Sequence, residues 1–388
     1  MTKLFCGIDV AKYEHVASIY NPSTGEIILD SLHFENNDKG FKSLNSNLSK
    51  LKKEYEIVIG FESTGHYHQA LFNYLTFKKY KCYLINPYMT SKFRSISLRN
   101  AKNDNIDSRA IAQFLSLEHK NLESEEFLSN ELKELCLQRQ FLIVDSSKMK
   151  IKLKTYLDRT FPELEGIVDV NTSAIRAVLK EYPTARSISE VRIDKLKNLA
   201  KEASKGKYSL LKIEQVKEAA KSSIGIDSTS LGLNITQCIE TLDLKERQID
   251  IIEKEIKKHP TVINSPLHQL TGINDIEIAY IMSAIISIER FDDSKKLVAY
   301  AGLDPKVRQS GTWSASKTRM SKRGSKILRY ALISSYNMTR KDGPIKTYYN
   351  KKISQGKPHY NALGHCAAKL CRYIFWILKH PDQEFKYQ

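Results

Sequence analysis

The sequence predicts an α/β domain at the N-terminus, a central all-α coiled-coil region and a mainly α C-terminal domain. Three observations support this fold class. Short apolar runs alternate with helical patterns over residues 1–120, apolar residues recur every seven positions over 121–262, and a glycine-containing turn precedes an apolar helix within 263–388. A chain of 388 residues has room for two or three domains of ordinary size.

The first 120 residues alternate between strand and helix patterns. We expect strands at residues 3–10, 16–20, 27–34, 56–61 and 82–85, and helices near 41–51, 66–78 and 107–117. The last strand is expected to stop at Asn86 and Pro87, because proline lacks the N–H group that a strand ladder needs. Three strands followed by alternating helices and strands predict a mixed sheet flanked by helices.

The central region contains two rows of apolar residues with a seven-residue period. The first row is Leu128, Leu135, Leu142, Met149 and Tyr156, and the second is Ile235, Leu242, Ile249 and Ile256. This period predicts long helices that pair along an apolar seam. The pairing can occur within one chain, as in a helical bundle, or between chains, as in an oligomer, and the pattern leaves both open.

The C-terminal region has two features typical of nucleic-acid binding. Residues 270–286 resemble a helix-hairpin-helix, in which the turn at Gly272 would direct N–H groups at a phosphate, although a plain helical turn has the same pattern. A cluster of cations interleaved with serine and glycine follows, and it predicts phosphate contacts rather than an ordinary solvated surface. Its members are Lys317, Arg319, Lys322, Arg323, Lys326 and Arg329.

The charge balance points to a polyanionic partner. Lys and Arg number 61 against 44 Asp and Glu, which leaves a net charge of +17. An acidic membrane is the weaker choice of partner, because no stretch approaches the roughly 20 apolar residues of a spanning helix. The N-terminus has no long apolar core, so we expect no signal peptide.

The six cysteines are scattered along the chain and form no Cys-x-x-Cys pair. A zinc site or a disulfide framework is therefore not expected, and a reducing cytoplasm fits this composition. The nearest approach to a ligand cluster is His365 and Cys366 with Cys371, which we interpret as ordinary helix packing.

Four acids occupy informative places in the first domain. Asp9 ends the first strand, Glu62 follows the fourth, and Asp104 and Asp107 lie three apart at the entrance to the helix after the fifth strand. Asp104 and Asp107 could each cap a helix instead, whereas Asp9 ends an apolar strand where an unused acid is costly. Carboxylates that share a small site need counter-charge. Two Mg²⁺ ions roughly 4 Å apart would supply it for phosphoryl transfer, and Mn²⁺ is a chemically similar substitute.

Several sequence blocks resemble one family, the DEDD insertion-sequence transposases of the IS110 type, which include the Piv-like DNA invertases. The N-terminal blocks are GIDVAK at 7–12, FESTGHY at 61–67 and KNDNIDSRA at 102–110. The C-terminal blocks are residues 270–279, RF at 290–291, AGLDP at 301–305, QSG at 309–311, SKRG at 321–324 and LR at 328–329. The family's second glycine in the hairpin block is replaced by Asn274, which tolerates a left-handed backbone.

The resemblance implies an RNase H-like (RuvC-like) domain whose metal ligands are Asp9, Glu62, Asp104 and Asp107. It also implies a catalytic serine that attacks DNA and forms a transient phosphoserine link. By position in the QSG block this serine is Ser310, with Ser314, Ser316 and Ser321 nearby.

The resemblance further implies a structured non-coding (bridge) RNA that pairs with donor and target DNA, and homodimers that assemble into tetramers. The catalytic site would combine both domains from different protomers. We expect a bacterial cytoplasmic protein that associates with the nucleoid when it acts.

Three other functions remain open from the residues. A junction-resolving metal nuclease would use the same acids with water as the nucleophile, and so would not need Ser310. An actin-like ATPase also begins with Gly-Ile-Asp, but a phosphate-binding Gly/Thr/Ser turn should follow, and here Val10, Ala11 and Lys12 follow instead. A non-catalytic nucleic-acid binder would retain its function after Asp9→Asn.

Overall fold

The computed structural model describes residues 2–62, 65–85, 87–96, 104–119, 131–305, 309–310, 313–314 and 320–386; for residues 94–96, 104–106, 309–310, 313–314 and 336 it describes the backbone alone. The chain forms two compact units, Met1–Ser129 and Asn130–Gln388. The predicted three-part division, with boundaries at residues 120 and 262, stays a prediction.

The first unit contains a five-stranded mixed sheet. Its strands are β1 (Lys3–Val10), β2 (Glu14–Asn21), β3 (Glu26–Glu35), β4 (Glu56–Glu62) and β5 (Lys81–Ile85), in the spatial order β3-β2-β1-β4-β5. The first three strands form an antiparallel meander, and β4 and β5 join β1 in parallel. The α/β class and all five predicted strands are confirmed.

Four helices accompany the sheet: α1 (Asp38–Leu51), α2 (His68–Phe77), α3 (Pro87–Ile96) and α4 (Asp104–Glu118). Successive side chains of a strand point to opposite faces of the sheet, so alternate residues of β1 pack in two different hydrophobic cores. Leu4, Cys6 and Ile8 are buried with the apolar residues of α1 and α2. Phe5 packs instead with Ile111, Phe114 and Leu115 of α4. The sheet therefore lies between two helical layers.

Helix α3 was not expected from the sequence. Pro87 was interpreted as the end of a strand, and it is also the first residue of this helix. Proline suits the first helical position, where the backbone N–H has no partner within the helix.

Within its described residues, the second unit is helical apart from a short hairpin and one isolated bridge. Its helices are α5 (Glu131–Thr160), α6 (Leu164–Ile167), α7 (Ser173–Glu181), α8 (Ala185–Glu190), α9 (Ile193–Ala203), α10 (Leu210–Lys221), α11 (Thr229–Lys258), α12 (Pro260–Ile263), α13 (Asp275–Ile285), α14 (Ser294–Tyr300), α15 (Lys326–Ser334), α16 (Pro344–Ser354) and α17 (His359–Lys379). The hairpin strands are β6 (Gln309–Ser310) and β7 (Trp313–Ser314). Within the described residues, no helix is both long and apolar enough to cross a membrane.

The two heptad rows lie on α5 and α11, which pack against each other in antiparallel directions within one chain. Arg139 near the start of α5 pairs with Glu253 near the end of α11, and the Cys238 thiol near the start of α11 lies 3.3 Å from the Met149 carbonyl oxygen. Pairing of α5 with α11 within one chain thus explains why residues of both rows are buried, among them Leu142 and Leu242. Leu128 lies outside the described residues.

The predicted helix-hairpin-helix is not confirmed. The element before the turn is a four-residue 3₁₀ helix, Pro266–Gln269, and Gly272 follows with a φ of +97°. Pro260 and Pro266 interrupt any longer helix here, since neither has an N–H group to donate. After the turn α13 begins at Asp275, as the apolar pattern predicts.

Candidate active site

Asp9 and Glu62 lie at the same edge of the sheet, on adjacent strands. Strands β1 and β4 are parallel, and the last pair in their register is Ile8 with Phe61. Asp9 and Glu62 are each the next residue along. Because the carboxyl ends of parallel strands reach the same edge, this register brings the two acids together.

Both acids also belong to the face of the sheet that α4 covers. A Cβ atom added to Gly7 would lie 2.3 Å from the Ser108 carbonyl oxygen, and one added to Gly60 would lie 3.0 Å from Leu115 Cδ2, so both glycines face α4. Asp9 and Glu62 each follow one of these glycines by two residues, and strand residues two apart share a face. The glycines let α4 approach the sheet closely beside the acids.

Helix α4 runs across β1 in the opposite direction and brings its first turn to Asp9. The ring centroids of Phe5 and His119, just beyond the end of α4, are 4.9 Å apart, whereas Gly7 lies beneath Ser108 and Ala112. Continuing along β1 toward Asp9 therefore leads toward the N-terminus of α4, where Asp107 is only 7% exposed. Asp9 and Glu62 thus lie on adjacent strands, and Asp107 lies in the first turn of the helix that covers the same face of the sheet.

Asp104 is the first residue of α4, and its side chain lies outside the described residues. Among the side chains that the structure describes, no three His, Cys, Asp or Glu groups are close enough together to hold a metal ion. The donor chemistry nevertheless suits a hard divalent cation, because carboxylate oxygens are the ligands that Mg²⁺ takes. A metal site here would therefore need the side chain of Asp104 in addition to those of Asp9, Glu62 and Asp107.

Helix α3 contributes a residue that the sequence did not single out. The buried Thr90 hydroxyl donates a hydrogen bond of 2.9 Å to Glu62 Oε2. This bond holds one oxygen of the carboxylate in place. Nothing in the sequence marks Thr90 apart from its place on a helix that itself was not predicted.

Two contacts hold the first turns of α4 to the antiparallel strands. The Ser108 hydroxyl lies 2.8 Å from the hydroxyl of Ser18 on β2, and both are fully buried. Arg109 donates two hydrogen bonds, of 2.6 and 2.5 Å, to the carboxylate of Asp30 on β3. The Arg109 guanidinium also lowers the pKa of Asp30. We call these four residues the α4 clamp.

Ser310 lies in the second unit, on the short hairpin. It pairs with Trp313 in the last step of the β6–β7 ladder, so its backbone is next to the tip; its side chain lies outside the described residues. Below the ladder, Pro305 and Met320 form an isolated antiparallel bridge. The described residues that flank the hairpin in the sequence thus meet at this bridge.

Ser321, one of the alternative nucleophiles, comes directly after Met320 of this bridge. Its hydroxyl donates a hydrogen bond of 2.5 Å to the Asp304 carboxylate, and its N–H bonds to the Asp304 carbonyl at 2.8 Å. The residue is also buried. These contacts assign Ser321 to holding the hairpin together. Ser316 lies outside the described residues, and Ser314 is described by its backbone alone.

The basic cluster is only partly described. Lys317 and Arg319 lie outside the described residues, whereas Lys322, Arg323 and Lys326 are exposed to solvent. Arg329 is half-buried and donates a hydrogen bond of 3.0 Å to the Ala301 carbonyl, which gives it a structural contact.

The turn at Gly272 leads into a helix that begins with a capping box between Asn274 and Glu277. Asn274 accepts from the Glu277 N–H, and Glu277 accepts from the Asn274 N–H in return. Burial raises the pKa of Glu277 to about 7. A phosphate at Gly272 would have to approach this carboxyl group.

Comparison with known proteins places both units in one family. Residues 6–162, which include all four acids, match the DEDD transposase model of the IS110 type, and residues 264–350, which include Ser310, match the model of the Transposase IS116/IS110/IS902 family. The chain is also 24% identical over 293 residues to the Insertion element IS110 uncharacterized 43.6 kDa protein of Streptomyces coelicolor, and the match covers 72% of this chain and 71% of that protein. The two models follow each other in the expected order and cover most of the chain between them. The chain therefore belongs to the IS110 family of DEDD transposases.

Proposed function

We propose that this transposase cuts and rejoins DNA strands at the ends of an insertion sequence, using divalent metal ions and a phosphoserine intermediate. The position of Asp9 and Glu62 at the ends of adjacent parallel strands, on the face that α4 covers, carries the proposal. Mg²⁺ is the ion that best suits their oxygen ligands. The family match supports the same chemistry, since DEDD transposases generally use divalent metal ions.

Each acid has a distinct position in the proposed site. Asp9 and Glu62 extend from adjacent strand ends, and Asp104 and Asp107 approach from the first turn of α4. Thr90 and the α4 clamp keep the carboxylates oriented before DNA arrives. When bound, the metal ions would neutralise charge on the phosphodiester and stabilise the oxygens that attack and leave.

Ser310 is the proposed nucleophile. Its Oγ forms a bond to phosphorus while the bond from phosphorus to one DNA oxygen breaks, and the proton from the serine hydroxyl balances the DNA hydroxyl that is released. A second DNA hydroxyl then attacks the phosphoserine, which restores a phosphodiester and frees the serine. The number of phosphoester bonds is conserved, so strand exchange needs no external energy source.

A structured non-coding RNA is the proposed source of sequence specificity. The net charge of +17 supports binding to more than one nucleic-acid strand. Base pairing by such an RNA would leave the protein to contact backbone and shape.

The proposed oligomer has a candidate surface on α5. Besides its buried row, α5 carries an exposed apolar stripe at heptad spacing, with Phe141 61% and Ile151 67% exposed. Leu137 and Val144 complete this α5 stripe. Exposed apolar side chains at this spacing are typical of a further helix–helix contact, which supports a homodimer as the unit of a tetramer.

The alternative function is a junction-resolving nuclease in which water replaces serine. The test incubates labelled insertion-sequence ends with the wild-type protein, with Asp9→Asn and with Ser310→Ala, each loaded with the RNA that co-purifies. Our proposal predicts a covalent protein–DNA adduct for the wild type that both variants lose, with DNA binding retained. Cleavage by Ser310→Ala at the wild-type rate would favour the nuclease, and strand exchange by Asp9→Asn would exclude both.

A further inference from the structure

The charge of this protein is concentrated near its C-terminus, in a stretch that contains the predicted basic cluster and continues past it. Residues 305–380 contain 17 Lys and Arg but a single acid, Asp342, so this stretch alone carries almost the whole surplus of +17. Asp342 forms an ion pair with Lys346 on the next turn of the chain. Helices α16 and α17 therefore have no further acid of their own to neutralise their cations.

The corner between α16 and α17 gathers several of these cations around aromatic rings. Lys352 Nζ and Lys369 Nζ lie 5.1 and 4.7 Å from the centroid of the Tyr348 ring. The Lys357 N–H donates a hydrogen bond of 3.1 Å to the Lys352 carbonyl oxygen, which brings the two lysines together. We call this set the α16–α17 corner.

An exposed aromatic ring, Tyr360, follows Lys357 by three residues at the start of α17. Tyr360 is the second residue of α17, and its side chain is 82% exposed. It packs at 5.1 Å, edge to face, on the ring of His359, whose Nδ1 forms a hydrogen bond of 2.7 Å with the Tyr349 hydroxyl. The ring thus rests on a fixed support while the rest of its surface faces solvent.

We propose that the α16–α17 corner binds an unpaired nucleic-acid strand, with a base stacked on Tyr360 and phosphates on Lys352, Lys357 and Lys369. This inference rests on the proposed function, because it assumes a nucleic-acid partner. Lysines alone would accept duplex and single strand alike. An exposed ring selects the single strand, since bases within a duplex are already stacked on each other.

The test measures binding of fluorescent 20-nucleotide DNA and RNA strands, and of a duplex with the same sequence, by anisotropy in EDTA. Tyr360→Ala should weaken single-strand binding about tenfold and change duplex binding less than twofold. Tyr360→Phe, which keeps the ring, should restore it. Tyr13→Ala, at another exposed tyrosine, is the matched control and should bind as the wild type.

A second arm tests the lysines. Replacing Lys352, Lys357 and Lys369 with Gln should reduce the slope of log affinity against log salt by about 2 for single strands. The control changes three exposed lysines of the α9–α10 segment to Gln: Lys201, Lys205 and Lys207. A slope that changes equally in both triple variants would overturn the inference.

The arms also separate this inference from the proposed function. The binding assays contain EDTA, which removes metal ions. Asp9→Asn should therefore bind single strands with wild-type affinity, whether or not the α16–α17 corner contributes to binding. Wild-type single-strand affinity in Tyr360→Ala, or equal losses for duplex and single strand, would overturn the inference and leave the cleavage proposal standing. Preference for DNA or RNA would identify which strand the corner holds. If the lysine variant instead lost only affinity for anionic lipid vesicles, the corner would be a membrane contact and the inference would be wrong.

Discussion

At the scale of single residues, the acids of the candidate site are positioned by neighbours that do not belong to the acid set. The bidentate bond from Arg109 to Asp30 and the buried contact between Ser108 and Ser18 both lie within two residues of Asp107. Partners that orient a metal ligand commonly change metal affinity about 10- to 100-fold when they are removed. We therefore expect the α4 clamp to contribute more to metal affinity than to the stability of the fold.

Arg109→Lys tests the clamp, because lysine keeps the charge but cannot make two parallel bonds to a carboxylate. We expect affinity for Mn²⁺, measured by electron paramagnetic resonance, to fall about tenfold. The melting temperature should change little, since Arg109 and Asp30 are both more than a third exposed. The control is Lys42→Gln, which breaks the exposed pair with Asp38 on α1. Equal Mn²⁺ affinities in wild type and Arg109→Lys would contradict the positioning role.

At the scale of elements, the close approach of α4 to the sheet depends on Gly7. An added Cβ would meet backbone atoms of both Ser108 and Ala112 at 2.3 Å, and backbone cannot give way as a flexible side chain can. The Gly-Ile-Asp block thus has a packing reason for its glycine, separate from the chemistry of its acid.

Gly7→Ala is expected to displace α4 and to separate Asp107 from Asp9. Overpacking of this kind costs about 1–3 kcal/mol of unfolding free energy. Denaturant unfolding measures the loss, and the covalent-adduct assay should show weaker cleavage. Gly166→Ala, where an added Cβ meets nothing within 4 Å, serves as control. Full adduct formation by Gly7→Ala would show that α4 does not dock as described.

The sequence predicted the strands and the positions of the acids because each depends on local pattern. A strand of five to eight apolar residues with an acid at its end places that acid at a sheet edge, as happened for Asp9 and Glu62. Helix α3 was missed because Pro87 is compatible with a strand end and with a helix start alike. Thr90 and the α4 clamp could not be found, since their partners are 28 to 90 residues away in the chain.

At the scale of the whole molecule, two heptad patterns share α5. The buried row pairs with α11 inside the chain, and the α5 stripe faces solvent. The seven-residue period in the sequence marks the buried row of α5 but does not separate intrachain from interchain pairing. The structure assigns the first row to intrachain packing and leaves the exposed stripe for the proposed oligomer.

A double variant, Phe141→Glu with Ile151→Glu, should shift the protein from the proposed dimer to a monomer. The charges would be buried without partners in a helix–helix contact. Light scattering after size exclusion measures the mass. Ile224→Glu changes an isoleucine that is 86% exposed and lies outside α5 and α11, and it should leave the mass unchanged. A dimer that persists in the double variant would mean that the α5 stripe is not the interface.

The central claim is that acids far apart in the chain hold divalent metal ions together at one edge of the sheet. Mn²⁺ titration of the full-length wild type, Asp9→Asn and Asp107→Asn, followed by electron paramagnetic resonance, tests it most directly. The account predicts tight sites in the wild type and at least a tenfold weaker affinity in each variant. Wild-type stoichiometry and affinity in both variants would show that these acids do not share a metal site.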